Sequence, residues 1–86
     1  MTRQVVVFRS SRVDEMYLFV DANERLERVP AALLGRFGRA VEVMTIDLDP
    51  ARKLARANAT DVLAAIERQG FHLQMPPRAE ELARDE

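Results

Sequence analysis

The sequence predicts an α+β fold: a single compact domain in which a four-stranded, mainly antiparallel sheet, beginning with a hairpin, packs with two to three short helices. Three observations support this prediction. The 86 residues are enough for one hydrophobic core and too few for two. Two apolar, β-branched segments near the N-terminus are separated only by a short polar stretch. Beyond them, strand-like segments alternate with helix-like segments that begin at a proline or a capping residue and end at a glycine.

The first two strands are predicted at Gln4–Arg9 and Met16–Asp21, which are rich in valine, phenylalanine and leucine. The six residues between them suit a hairpin loop. Both segments are apolar on both faces, and a strand of that kind is normally covered on both sides. We therefore expect helices on one face of the hairpin. The other face would take a remaining helix or a partner subunit, the latter in a homodimer formed through the sheet.

A short helix is predicted to begin at Pro30, because proline suits the first helical position, and to end at Gly38, which can adopt a left-handed cap. The third strand is predicted at Val41–Leu48. Its polar and apolar residues alternate, which is typical of a strand with one face in water. The apolar face would carry Met44, Ile46 and Leu48.

The pair Asp49-Pro50 predicts a helical turn that runs through Leu54. A longer helix is predicted to start at the capping residue Asn58 and to end at Gly70. Its buried face would contain Val62, Leu63 and Ile66.

The fourth strand is predicted at Phe71–Met75, and Pro76-Pro77 ends the sheet. Residues 1–77 would therefore form the domain, and residues 78–86 a polar, acidic C-terminal tail. Four of the fourteen acidic residues fall in the last seven positions of the chain.

The composition indicates a soluble globular protein, with 48% apolar and 31% charged residues. The absence of cysteine excludes disulfides, thiolate metal sites and cysteine nucleophiles. The N-terminus lacks the apolar core of a signal peptide, and no apolar run approaches the roughly 18 residues of a membrane span. We expect a cytoplasmic protein that does not associate with membranes. The net charge of −1 argues against strong overall attraction to nucleic acid, although twelve of the thirteen cations are arginines.

Seven short motifs follow one another over residues 5–77. They are Phe8-Arg9-Ser10-Ser11-Arg12, Tyr17-Leu18-Phe19-Val20, Val29-Pro30, Leu33-Leu34, Phe37-Gly38, Arg52-Lys53-Leu54-Ala55 and Gly70-Phe71-His72-Leu73-Gln74-Met75-Pro76. In this order and spacing they resemble the YcgL family of small proteobacterial proteins. The resemblance implies a compact α/β domain with a four-stranded sheet, and it implies no particular activity.

The hairpin loop is the first candidate site, because it carries two guanidinium groups and two hydroxyls. Arginine offers bidentate donors to phosphates and carboxylates, so the loop could hold an anion. No phosphate-binding glycine-rich motif accompanies it. The alternative is an ordinary polar turn whose serines bond to the backbone and whose arginines pair with nearby acids. The residues concerned are Arg9, Ser10, Ser11 and Arg12.

A second basic cluster follows the third strand. Arg52 and Lys53 would stand on the predicted helical turn, where Arg52 and Arg56 share a face because they are four residues apart. If the fold brings this cluster to the hairpin loop, the two could form one anion-binding patch. The alternative is a solvated face that pairs with neighbouring aspartates and contributes little.

His72 is the one histidine, and Gln74 lies two residues beyond it on the same strand. Histidine titrates near neutral pH without perturbation, so an acid–base enzyme would use it. The alternative is a surface or half-buried residue that forms a hydrogen bond. The histidine and the carboxylates lack the spacing of a metal site, and we predict no metal, no cofactor and no catalytic residue.

The five aromatic residues could stack nucleic-acid bases if they were exposed, but their spacing is more typical of a core. They are Phe8, Tyr17, Phe19, Phe37 and Phe71.

The sequence favours a small, non-enzymatic bacterial binding module that engages a protein through the basic hairpin loop and a sheet face. RNA is a less favoured partner, because the net charge is near zero. The alternative is a small enzyme that acts on an anionic substrate with Arg9, Arg12 and His72. That alternative requires the three side chains to meet in one pocket.

Overall fold

A computed structural model describes residues 2–54 and 57–76. The strands form one sheet in the order β3-β1-β2-β4, and every neighbouring pair is antiparallel. With two helices beside this sheet, the predicted α+β class is confirmed. The elements, in chain order, are β1 (Arg3–Ser10), β2 (Tyr17–Asp21), α1 (Ala31–Phe37), β3 (Ala40–Leu48), α2 (Ala59–Gln69) and β4 (Phe71–Gln74).

The register assigns each residue of the hairpin to one of two faces. Val7 pairs with Phe19 of β2 and with Met44 of β3, so these three side chains share a face. That face packs against α2 and is called the α2 face. Val6 and Phe8 point to the opposite side, which packs against α1 and the segment 22–30 and is called the α1 face.

Each face carries its own hydrophobic cluster, so the sheet is the middle of three layers. The hairpin strands are apolar on both sides because the chain itself covers both sides, with one helix on each. The buried residues of the α2 face are Val5, Val7, Phe19, Leu48, Ala59, Val62 and Ile66. Those of the α1 face are Val6, Phe8, Met16, Leu18, Val20, Val29 and Phe37.

The ends of α2 follow the predicted capping chemistry. The side chain of Asn58 accepts a hydrogen bond from the Asp61 amide at 3.2 Å, which satisfies one of the free donors of the first turn. Gly70 adopts a left-handed conformation with φ of 92°, and its amide donates to Ile66 O at 2.9 Å. Val62 and Ile66 are buried as predicted, and Leu63 is half-buried.

The helical turn predicted from Asp49 to Leu54 is wrong in the described part of the chain. The Arg52 amide donates to Asp49 O at 3.1 Å, which closes a single turn. Lys53 then forms an antiparallel backbone bridge with Asn58. That bridge holds Lys53 in an extended conformation just before α2, so the segment cannot continue as a helix. Arg56 and the acidic tail at 78–86 lie outside the described residues.

The third strand departs from the simple alternation that its sequence predicts. The register between β1 and β3 shifts between Val7 and Phe8, because Val7 pairs with Met44 whereas Phe8 pairs with Glu42. Val43 is therefore the extra residue of a β-bulge. Leu48 is buried beside α2, but Met44 is 50% exposed and Val43 is 43% exposed. The helix α2 thus covers β3 only near its C-terminal end, at Leu48, and leaves the middle of the strand exposed.

Candidate functional site

A cavity of about 400 Å³ opens on the α2 face, beside the segment 52–54. It combines an apolar floor, contributed by three strands of the sheet, with polar and charged groups at its rim. We call it the sheet groove. The residues that define it are Tyr17, Phe19, Met44, Ile46, Arg52, Lys53 and Gln74, together with Glu15 at its edge.

The floor of the sheet groove follows from the strand register. Met44, Val7 and Phe19 stand side by side across β3, β1 and β2, and all three point to the α2 face. Tyr17 stands two residues from Phe19 on the same strand and face. The bulge brings Val43 to the same cavity. These residues leave apolar surface in contact with solvent at the end of the sheet that α2 does not cover.

Two cations, Arg52 and Lys53, form one wall of the sheet groove, and both are exposed. The Arg52 guanidinium donates to Asp47 O at 3.4 Å. Neither side chain takes part in an ion pair among residues 2–54 and 57–76. The ion pairs found there are Arg3–Asp21, Arg3–Glu67, Arg25–Glu42 and Arg28–Glu24. Both cations at this wall are therefore without an ion-pair partner among the described residues.

Glu15 is the acidic residue at the edge of the sheet groove. It belongs to the hairpin loop and has a positive φ of 61°. Its carboxylate adds a negative charge to a lining whose cations are Arg52 and Lys53. An anionic ligand would therefore place its charge at the 52–53 wall.

His72 and Gln74 have different surroundings, although both point to the α2 face. Gln74 pairs with Tyr17 and lines the sheet groove. His72 pairs with Phe19 and contacts its ring edge-on, with centroids 5.8 Å apart. Burial lowers the pKa of the His72 imidazole below its usual 6.5, and the charge of Asp61 opposes this shift. His72 is thus a half-buried side chain that packs against an aromatic ring.

Both serines of the hairpin loop are engaged with backbone. Ser10 is buried, and its hydroxyl donates to Phe37 O at 2.5 Å while accepting from the amides of Arg12 and Val13, each at 3.0 Å. Ser11 accepts from the Arg39 amide at 2.7 Å. These bonds tie the hairpin loop to the end of α1. The structure therefore supports the polar-turn interpretation for both serines.

The two arginines of the loop are directed to different sides of the molecule. Arg12 lies over Gly38, so closely that a Cβ built on Gly38 would stand 2.6 Å from Arg12 Cγ. Arg9 is exposed and pairs with Tyr17 and Val41, which places it on the α2 face next to the groove floor. The structure thus joins Arg9 to the groove side and leaves Arg12 with α1.

The sequence-predicted candidates therefore divide into two groups. Arg52, Lys53 and Gln74 come together in the sheet groove, with Arg9 on the same face. The remaining candidates, Ser10, Ser11, Arg12 and His72, are held in contacts outside its lining.

The sequence did not indicate that Tyr17, Val43, Met44 and Glu15 belong to the same cavity. Met44 has the alternation of a core residue but is 50% exposed, because the cluster around α2 includes Leu48 and not Met44. A bulge at Val43 has no local signal such as a glycine or a proline. The prediction that the aromatic residues are core is confirmed, since Phe8, Phe19 and Phe37 are buried and Tyr17 and Phe71 are half-buried against the two clusters.

Among the described residues, no three histidine, aspartate or glutamate side chains lie close enough to hold a metal ion together. In the same part of the chain, neither helix has the length and apolar character needed to cross a membrane.

Comparison with known proteins gives a consistent family match. The family model of the YcgL domain matches residues 5–77. A YcgL domain-containing protein of Chromohalobacter salexigens is 56% identical over 81 residues, which cover 93% of this chain and 84% of the relative. A relative from Pseudomonas paraeruginosa is 53% identical over 94% of this chain and 84% of its own length. One from Saccharophagus degradans is 46% identical over 88% and 84%. Their names state the domain and no activity or ligand.

Proposed function

The chain belongs to the YcgL family, and we propose that it is a non-enzymatic binding module of the bacterial cytoplasm that engages a protein partner through the sheet groove. One observation carries this proposal. The cavity brings Arg52, Lys53 and Gln74, from two separate segments, to the border of an apolar floor that contains Tyr17 and Met44. Apolar surface with a few convergent polar groups is the usual composition of a binding site.

The charge of the groove indicates the chemistry of the partner. Arg52 and Lys53 have no carboxylate partner among the described residues, so an acidic group on a bound protein would meet two cations without first displacing a described ion pair. Arginine can bind a carboxylate through two parallel hydrogen bonds. The partner segment that fits best therefore combines an apolar side chain for the floor with a carboxylate for the wall.

The sheet face supports the binding hypothesis more strongly than the hairpin loop does. Ser10 and Ser11 already bond to the backbone around α1, and Arg12 packs over Gly38. Arg9 is the loop-side residue that stands on the face of the groove. The enzyme alternative loses its geometric support, because Arg12 and His72 contact different layers of the molecule.

The proposal is tested by placing a photo-cross-linking amino acid at Met44 in the full chain, expressed in a bacterium that carries the native gene. We expect a covalent protein adduct that disappears when Arg52→Glu and Lys53→Glu are introduced together. As a matched control, Arg68→Glu reverses an exposed charge on α2 and should leave the adduct unchanged. The same cross-linker at Ala32, an exposed residue of α1, should give no such adduct.

Two outcomes would contradict the proposal. An adduct that survives reversal of both groove charges would mean that the cation wall does not select the partner. An adduct consisting of RNA, with binding that weakens steeply as salt rises, would instead identify phosphate contacts as the main source of affinity.

A further inference from the structure

We propose that the partner binds by strand addition: an extended acidic peptide segment pairs with the free edge of β3 as a fifth strand. Its carboxylates then lie at Arg52 and Lys53, and its apolar side chains enter the sheet groove beside Met44. This inference rests on the proposed function and specifies the mode of binding at the same site. Strand addition gains affinity from main-chain hydrogen bonds and specificity from the pockets that receive alternate side chains.

The hydrogen-bond pattern shows which groups of β3 are available. The Ala22 amide donates to Gln4 O and the Ser10 amide donates to Met16 O, both at 2.9 Å. Even-numbered residues of β1 therefore bond toward β2, and odd-numbered residues bond toward β3. Val5 and Val7 of β1 face Ile46 and Met44 in that ladder.

The intervening residue of β3, Thr45, accordingly directs its N–H and C=O away from β1. No other described strand lies on that side, since β3 ends the sheet order. The Asp47 carbonyl points the same way, and its contact with the Arg52 guanidinium at 3.4 Å agrees with that direction. An added strand would thus find its main-chain partners at Thr45 and would pass directly beside Arg52.

The exposure of β3 supports an open edge. It is the longest strand, with nine residues, and none of the residues from Glu42 to Thr45 is buried. Val43 and Met44 are two of the four large hydrophobic residues that are exposed in the described chain. Long, apolar edge strands tend to pair with other chains unless something blocks them. The bulge at Val43 limits that tendency at one point, and the residues from Met44 to Asp47 pair with β1 in continuous register.

The charges favour an acidic partner over a second copy of this chain. Ala40–Leu48 contains the acids Glu42 and Asp47 and no cation. In a symmetric antiparallel pair of β3 strands the two sheets continue with the same faces, so these carboxylates stay on the α1 face. They would not reach Arg52 or Lys53 on the α2 face. A different chain with carboxylates on the groove side can both pair with the edge of β3 and place its charges at Arg52 and Lys53.

The experiment uses the ¹⁵N-labelled full chain and a synthetic, end-blocked peptide of about eight residues, which is longer than the most common strand length of about 5–6 residues. Valine and threonine alternate in this peptide, with valine on the groove side. Two glutamates stand two positions apart at one end, so that both carboxylates lie on the groove side. We expect shifts at Thr45, Lys53 and Tyr17, and at least tenfold slower hydrogen exchange at the Thr45 amide. The matched peptide with two lysines should bind at least tenfold more weakly.

A second pair of peptides tests the main-chain bonds without altering the protein. Methylating the peptide nitrogens that face β3 should abolish binding, and methylating the alternate nitrogens should not. Shifts at Lys53 without protection of Thr45 would overturn strand addition but leave the groove as a binding site. No binding by either peptide also overturns this inference, while the cross-linking result at Met44 decides the proposed function separately. If the Thr45 amide were protected from hydrogen exchange without peptide, and the protein had twice the mass of one chain, the edge of β3 would pair with a second copy of this chain and the inference would be overturned.

Discussion

The buried hydroxyl of Ser10 links three parts of the chain, because it bonds to the end of α1 and to two amides of its own loop. Ser10→Ala leaves the Phe37 carbonyl and both loop amides without this partner, so we expect the free energy of unfolding to fall by about 1–3 kcal/mol. Ser11→Ala removes one bond, to the exposed amide of Arg39, and should cost less. Urea denaturation measures both changes. Equal losses would show that the Ser10 network is not the stronger anchor.

His72 makes the free energy of unfolding depend on pH. Burial holds its folded-state pKa below the value of 6.5 expected for an unperturbed histidine. The folded state therefore binds fewer protons than the unfolded state. The contribution of His72 to the free energy of unfolding is fully present above pH 6.5, and it is lost as the pH falls through the folded-state pKa. His72→Gln should flatten this part of the stability profile. Denaturation between about pH 7.5 and 5 measures it, and parallel profiles for the two proteins would contradict the assignment.

The elements defined by local chemistry lie close to where the sequence predicts them. Proline at position 30 restricts the backbone at the start of α1, and the glycines at 38 and 70 allow the positive φ at which each helix ends, so the helix ends can be recognised from the local sequence. Most of the strand ends differ from the predicted ends, and each of these differs by one residue. β1 is longer, at Arg3–Ser10, and β4 ends at Gln74. Such differences are normal, since strand ends depend on the partner strand.

The segment 49–54 and the middle of β3 are where prediction failed, and both failures have the same origin. Asp49-Pro50 is a valid helix start, but the backbone of Lys53 pairs with Asn58 instead of continuing the turn. The apolar alternation of Met44 and Leu48 is real, but α2 covers only Leu48. Both failures come from contacts that the local pattern does not encode: the backbone pairing of Lys53 with Asn58, and the packing of α2 against Leu48 and not against Met44. The candidate groove arises at these two places.

The three-layer arrangement makes the whole molecule dependent on both faces of the sheet. Val20 and Val62 are fully buried, the first on the α1 face and the second on the α2 face. Each substitution to alanine removes two buried methyl groups, so we expect each to lower the free energy of unfolding by about 2 kcal/mol. Because the layers share β1 and β2, both variants should still unfold in one transition.

Two probes test that cooperativity. Tyr17 is the one tyrosine of a chain without tryptophan, so its fluorescence reports the α2 face, whereas far-UV circular dichroism reports all elements. Coincident urea curves are expected for the wild type and for both variants. If Val62→Ala shifted the fluorescence curve away from the dichroism curve, the α2 layer would be an independent unit.

Both faces of the sheet are covered by residues of the same chain, and this changes the argument for a homodimer. The apolarity of β1 and β2 on both sides, which suggested a partner subunit, is accounted for by α1 and α2. Association of two copies would now have to use surface that remains open, such as the edge of β3. Sedimentation at high protein concentration measures whether it occurs.

The sequence by itself determined the class of fold, the hairpin and the limits of both helices, because alternation, proline, glycine and capping residues act on the backbone within a few positions. It also placed Arg52, Lys53 and Gln74 among the candidate binding residues. Only the tertiary structure decided the strand order, the bulge at Val43 and the union of those three residues with Tyr17 and Met44 in one groove. These features depend on which strands pair and on how α2 and residues 49–54 lie beside the sheet, and such packing leaves no local pattern in the chain.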